Sequence, residues 1–160
     1  MRAGSSLRAI KRGGYYDICA DEGGFSVKYT PFGKTEERSF DDVFFSEWLG
    51  EPTAFGAFEG GALIGYVEGS PERWNNRFLI SNICVFENAR RGSSVGTVLL
   101  DAIQEAAASG ARMIVLETQS CNENAIAFYR KNGFEIIGFD LYAYSNDDPE
   151  RHEVRLEMGK

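Results

Sequence analysis

Two stretches of this chain combine residue types and spacings that can do chemistry. In the first, Ile80-Ser81-Asn82-Ile83-Cys84-Val85-Phe86 is followed by Arg90-Arg91-Gly92-Ser93-Ser94-Val95-Gly96-Thr97. An apolar strand running into a small-residue loop that opens a helix presents backbone N–H groups able to bind phosphate or pyrophosphate. Gly92 and Gly96 let an anion approach the backbone, while Arg90 and Arg91 add charge at the rim. The loop has neither the Lys of a P-loop nor the three-glycine spacing of a dinucleotide fingerprint. By itself it reads equally well as an ordinary strand-to-helix turn with solvated arginines. In the second stretch, Leu116-Glu117-Thr118-Gln119 precedes Asn122, Ala125, Tyr129 and Lys131-Asn132-Gly133-Phe134. Asn122 and Tyr129 lie seven apart, two helical turns on one face, so an amide and a phenol can address one elongated ligand. A helix-capping asparagine and a core tyrosine would show the same spacing.

The elements that must position these residues follow from periodicity. Tyr15–Ala20 and Phe25–Thr30 read as strands joined by a turn at residues 21–24. Ser39, with apolar Phe40, Phe44, Phe45, Trp48 and Leu49 behind it and Gly50 and Pro52 as stops, predicts a helix. Thr53–Phe58 and Leu63–Glu68 flank Glu59-Gly60-Gly61 as a hairpin. Phe78–Phe86 is a buried strand, and a helix starts at Ser94 with Val95, Leu99, Ala102, Ile103 and Ala106 on one face, ending at Ser109-Gly110. A strand over Arg112–Thr118, a helix over Asn122–Lys131, and strands over Phe134–Tyr144 and Glu153–Met158 complete an α+β pattern: a mixed sheet with helices on its faces.

Composition bounds the setting. The 160 residues suit one domain, expected over 15–160 behind a flexible, basic lead-in at 1–14. There are 17 Lys and Arg against 24 Asp and Glu, a net charge of −7, and the lead-in carries four of the basic residues, so the body is more acidic still. That balance disfavours nucleic acid and suits a small cationic partner. No run approaches the ~20 apolar residues of a membrane span, and no signal peptide is visible, so no membrane partner and a cytoplasmic location are expected. Cys19, Cys84 and Cys121 show no CxxC spacing, which argues against a disulfide framework or a metal site and for reduced, buried thiols. His152 falls in a charged turn and reads as solvated, and the chain is expected to be a monomer or homodimer.

Together, the two stretches resemble the GNAT-type N-acyltransferase superfamily. Its acetyl-CoA loop has the form Arg/Gln-x-x-Gly-x-Gly/Ala; here Arg91-Gly92-Ser93-Ser94-Val95-Gly96 matches it with Ser94 in place of the central glycine. The helix motif Asn-x-x-Ala-x-x-x-Tyr-x-x-x-Gly-Phe is met by Asn122, Ala125, Tyr129, Gly133 and Phe134 without a gap. Trp74-Asn75, Leu116–Gln119, Gly138–Tyr144 and a last strand with Glu153 are similar to the streptothricin acetyltransferase branch, over about the last 110 residues. One further departure stands out: Asn82 occupies the position where relatives carry a glutamate, a frequent candidate for the general base.

The resemblance implies a mostly antiparallel sheet with a parallel central pair around the acetyl-CoA loop. It also implies acetyl transfer from acetyl-CoA to a primary amine of a small basic molecule, of which a streptothricin-type antibiotic is one. A protein, peptide or polyamine acceptor is the alternative within the enzyme class, and a non-catalytic acyl-CoA-binding module the alternative outside it. The acetyl-CoA contacts implied are Ile83, Cys84, Val85, Arg90, Arg91, Gly92, Ser93, Ser94, Val95, Gly96, Thr97, Asn122, Ala125 and Tyr129. An amine with a pKa near 10 needs a base at pH 7, and Glu68 or Glu117 is the candidate. Backbone N–H groups at Cys84 or Val85 would polarise the thioester carbonyl, each worth roughly 3–4 kcal/mol when removed. Tyr129 would protonate the departing sulfur. Trp74, Asn82, Glu117, Asp140 and Tyr142 are the candidates for a cationic substrate pocket.

Overall fold

The computed structural model describes residues 4–86, 89, 94–108 and 110–160. In chain order the elements are β1 (Gly4–Asp21), β2 (Gly24–Phe44), β3 (Thr53–Glu59), β4 (Ala62–Glu72), β5 (Arg77–Val85), α1 (Val95–Ala107), β6 (Met113–Gln119), α2 (Glu123–Lys131), β7 (Glu135–Asp140), α3 (Asp148–Arg151) and β8 (Arg155–Gly159). They gather into two compact units, one built on Asp42–Leu116 and the other on Leu7–Asp41 and Glu117–Lys160.

In the first unit the strand order is β3-β4-β5-β6. Gly60 and Gly61 both take positive φ (57° and 83°), the backbone of a two-residue hairpin turn, and this sets β3 antiparallel to β4. β4 and β5 are also antiparallel. β5 and β6 run parallel, with α1 as the crossover that such a pair requires. α1 packs on β3, β4 and β5 through buried Leu99, Leu100, Ile103 and Ala107. Ala106, expected on the buried face, is exposed and Ala107 takes its place, so the face is turned by about one residue. The core is completed by Val67, Phe78 and Ile80.

In the second unit the order is β6-β8-β7, with β7 antiparallel to β8, and β1 and β2 form a separate two-stranded sheet. Ile126, Tyr129, Phe134, Val154, Leu156 and Met158 are buried here. β6 belongs to both units, passing from one to the other after Leu116. The whole is the α+β class expected: a mixed, mostly antiparallel sheet with one parallel pair.

Four local expectations change. The helix predicted from Ser39 does not form, since β2 continues to Phe44 and the chain turns at Phe45. A tertiary hydrogen bond explains the turn: Phe45 takes φ 56° and its N–H donates to the buried carboxylate of Glu68 at 2.9 Å. β1 reaches back to Gly4, into the segment read as a lead-in. β7 stops at Asp140 instead of running to Tyr144, because the Asp140 side chain accepts the N–H of Tyr142 at 3.0 Å and turns the chain. His152 is not a solvated residue: it sits at φ 59° after α3 and stacks on Tyr15, with ring centroids 3.8 Å apart. Among the cysteines, Cys121 is buried, Cys84 half-buried and Cys19 exposed, all as free thiols.

Candidate active site

The first unit carries the strand-to-helix stretch. β5 alternates buried Phe78, Ile80 and Asn82 with half-buried neighbours. Its parallel ladder with β6 runs from Arg77↔Met113 to Ile80↔Leu116, and Ser81–Val85 continue the strand past that ladder. Ile83, Cys84 and Val85 are on this continuation. Beyond it, Arg90, Arg91, Gly92 and Ser93 lie outside the described residues. Ser94 is the N-cap of α1 and makes no side-chain cap bond, and no acidic residue occupies the first helical turn. Val95, Gly96 and Thr97 form that turn, whose N–H groups have no partner within the helix. An anion there meets donors with no carboxylate in the turn itself. Gly65 sets the helix close to the strands: a Cβ there would lie 2.7 Å from the Cys84 carbonyl oxygen and 3.3 Å from Val95 Cγ1. Only glycine permits that approach.

Glu68, one of two candidate bases, is 1% exposed, which excludes a surface carboxylate. It is the direct register partner of Asn82 across β4 and β5, so the two side chains share a face of the sheet. The register then jumps to Gly69↔Ile80, leaving Ser81 as the extra residue of a bulge, with its hydroxyl donating to the Glu68 carbonyl at 3.3 Å. Trp74 stands apart from this end. It is 82% exposed in the turn before β5, and the nine residues of that strand, about 26 Å at a strand's rise, separate the turn from Val85. Asn75 shapes the same turn by accepting Arg77 N–H through its side chain (3.2 Å) and Arg112 Nε–H through its carbonyl (2.8 Å). A cavity of about 540 Å³ opens at this far end, between Pro71, Phe78 and Ala107, and its Glu51–Arg73 and Glu72–Arg77 charges are already paired.

The second unit carries the helix motif and the acidic residues. α2 places Asn122 at its N-cap with no side-chain cap bond, so the amide is not committed to capping. Ala125 is half-buried, and Tyr129 is buried within ring contact of Phe128 and Phe134. Glu123, in the first turn, fastens the helix to the β1–β2 sheet, accepting Gly13 N–H (2.7 Å) and the Tyr29 hydroxyl (2.6 Å).

Glu117 and Asp140 are brought together by a residue that sequence reasoning missed. Arg155, on β8, reaches Glu117 with Nη1 and Asp140 with Nη2, each at 3.3 Å. Its only signal was a basic residue between buried Val154 and Leu156, hence on the opposite face of its strand. Tyr142 and Tyr144 follow in the adjoining loop, Tyr142 largely exposed and Tyr144 about half covered. Burial pushes the Tyr144 phenol above its ordinary value, and the nearby charge of Glu117 pushes it further. Glu153, named for the last strand, instead precedes it as a buried carboxylate bridging Arg38 (2.7 Å) and Arg12 (3.5 Å). Among the described residues no group of three His, Cys, Asp or Glu side chains is placed to hold a metal ion, and no helix is long and apolar enough to cross a membrane.

Comparison with known proteins gives this arrangement its class. The model of the acetyltransferase (GNAT) family matches residues 24–134, and the chain belongs to that family. Streptothricin acetyltransferase A of Bacillus subtilis (strain 168) is 35% identical over 127 residues, 79% of this chain and 71% of its own. Streptothricin acetyltransferase of Escherichia coli is 34% identical over 142 residues, 88% of this chain and 79% of its own. The crystal structure of nourseothricin acetyltransferase superposes with a TM-score of 0.73 at 25% identity, covering 98% of this chain and 96% of that one. The protein is an N-acetyltransferase whose acetyl donor is acetyl-CoA.

Proposed function

We propose that this enzyme acetylates a primary amine of a small basic molecule, and that its acceptors are antibiotics of the streptothricin type. The observation that carries the reading is the likeness to two streptothricin acetyltransferases along most of the chain. The geometry supports it: Glu117 and Asp140 share the single positive charge of Arg155, which leaves the cluster net negative and suited to a cation, beside the exposed aromatic rings of Tyr142 and Tyr144.

Acetyl-CoA, when bound, supplies the acetyl group as a thioester. The first turn of α1, which holds no acidic residue, suits its phosphates, and Asn122, whose side chain makes no cap bond, suits an elongated donor. Ile83, Cys84 and Val85 are assigned to the thioester portion, Cys84 or Val85 donating a backbone N–H toward its carbonyl oxygen. Tyr129 is assigned the proton for the departing sulfur, its phenol being the neutral form at pH 7. Glu68 is assigned the base. Its position directly across the sheet from Asn82, on the neighbouring strand, supports the assignment. Glu117, exposed and ion-paired, is assigned to holding the acceptor's charge, together with Asp140 and Tyr142.

The test is to incubate the protein with acetyl-CoA and a panel of streptothricin, aminoglycosides, polyamines and lysine peptides, and to look for an acetyl mass gain. Acetylated streptothricin is the expected product. Modification of another amine with streptothricin untouched removes the antibiotic assignment.

A further inference from the structure

The loop that follows β7 is fastened at both ends by carboxylates. At its entry, Asp140 accepts Tyr142 N–H through Oδ1 at 3.0 Å and pairs with Arg155 through Oδ2 at 3.3 Å. At its exit, Asp148 accepts Tyr144 N–H through Oδ2 and the Ser145 hydroxyl through Oδ1, each at 2.7 Å. Ser145 Oγ in turn accepts Asp147 N–H at 3.2 Å.

These two anchors differ in kind. Asp140 is exposed and screened by water, whereas Asp148 is 1% exposed, so the loop's own donors replace its hydration. Burial pulls the Asp148 pKa upward, but the bonds from Ser145 and Tyr144 and the charge of Arg151 outweigh it and hold the carboxyl below its ordinary value. It is therefore an anion at neutral pH. The rings that ride on the loop are covered only in part: Tyr142 is 60% exposed and Tyr144 48%. Their backbone is held where the carboxylates tie it.

We propose that Asp148 is a positioning residue for the acceptor. Through Tyr144 N–H and the Ser145 hydroxyl it holds Tyr142 and Tyr144 beside the Glu117–Arg155–Asp140 cluster, and so sets acceptor affinity without touching the acceptor. The proposal rests on the reading that the acceptor's cation docks at that cluster. Asp148→Asn is the isosteric probe: it removes the charge from both bonds, and its NH₂ obliges the Ser145 hydroxyl to accept where it now donates.

The experiment is steady-state kinetics on the full chain, varying streptothricin at saturating acetyl-CoA and the reverse, for Asp148→Asn, Ser145→Ala and Glu117→Gln. If the panel identifies a different amine, that amine is the varied acceptor. Asp148→Asn is expected to raise the acceptor KM about tenfold with the acetyl-CoA KM and kcat within about twofold, the loss of a charge-assisted hydrogen bond. Ser145→Ala, a milder change that keeps the buried anion, is expected to raise the acceptor KM about threefold and serves if Asp148→Asn does not fold. An acceptor KM that rises for Glu117→Gln but not for Asp148→Asn or Ser145→Ala overturns the proposal and leaves the acceptor site standing. Acceptor and acetyl-CoA KM rising together overturn it as well, since a general loss of structure would do that. An acceptor KM unmoved by Glu117→Gln removes the docking reading and the proposal with it.

Discussion

Glu68 and Asn82 face one another across β4 and β5, and the chemistry assigned to that pair can be checked by moving the carboxylate. Glu68→Gln keeps an acceptor for the N–H of Phe45 and removes the base. A loss of about 10²-fold or more in kcat is expected, with acetyl-CoA affinity unchanged. Adding Asn82→Glu to that variant returns a carboxylate from directly opposite, and part of the rate should come back in the same assay. Full activity in Glu68→Gln alone would assign the base elsewhere. Tyr129→Phe removes only the phenol oxygen from a ring packed between Phe128 and Phe134. Acetyl-CoA binding measured by calorimetry should survive, while turnover drops by about 10²-fold.

At the scale of elements, two close approaches hold the helices that bear the site. Gly65 lets the first turn of α1 settle on β4 and β5. Gly65→Ala must displace the Cys84 carbonyl and crowds Leu99 and Val95 of α1, so denaturant unfolding should show a loss of about 1–3 kcal/mol and acetyl-CoA should bind more weakly. The second is the clamp between Tyr29 on β2 and Glu123 on α2. The hydrogen bond from Tyr29 to Glu123 raises the phenol above its ordinary pKa of 10. A group whose folded pKa is raised stabilises fully below its unfolded pKa and loses that contribution as pH climbs through the folded one. The melting temperature should therefore fall more steeply above about pH 10 in the parent protein than in Tyr29→Phe, which has no proton to lose.

For the molecule as a whole, charge is the quantity that reaches beyond contact. A net −7 in an assigned enzyme of cationic acceptors should speed encounter at low salt. As ionic strength rises from ~0.01 M to ~0.15 M the screening length shrinks from ~30 Å to ~8 Å. The acceptor kcat/KM should then fall several-fold, while Glu117→Gln shows a shallower dependence; a flat profile in the parent would mean that long-range charge plays no part. The charges nearest the N-terminus are used differently from a loose basic lead-in: Arg12 pairs with Glu36 (3.0 Å) and Glu153, tying β1 to β2 and to the segment before β8.

Periodicity and turn chemistry are local, and they made much of this protein legible from its sequence alone. The Gly60-Gly61 hairpin, the apolar run of β5, the helix opening at Ser94 and the Asn122–Phe134 motif all stand where their patterns put them. The same local reasoning failed at Ser39–Leu49, where a helical spacing of aromatic residues was overridden by a hydrogen bond to Glu68 from another strand. It also gave no account of Arg155, because a pairing with Glu117 and Asp140 depends on strand register across 38 and 15 residues of chain. The residue types and the order of the elements were thus determined by the sequence itself. Only the tertiary structure decided which carboxylate is buried opposite Asn82, which are exposed and paired, and which anchors the loop after β7. Burial and pairing are properties of neighbours in space, and those neighbours come from distant parts of the chain.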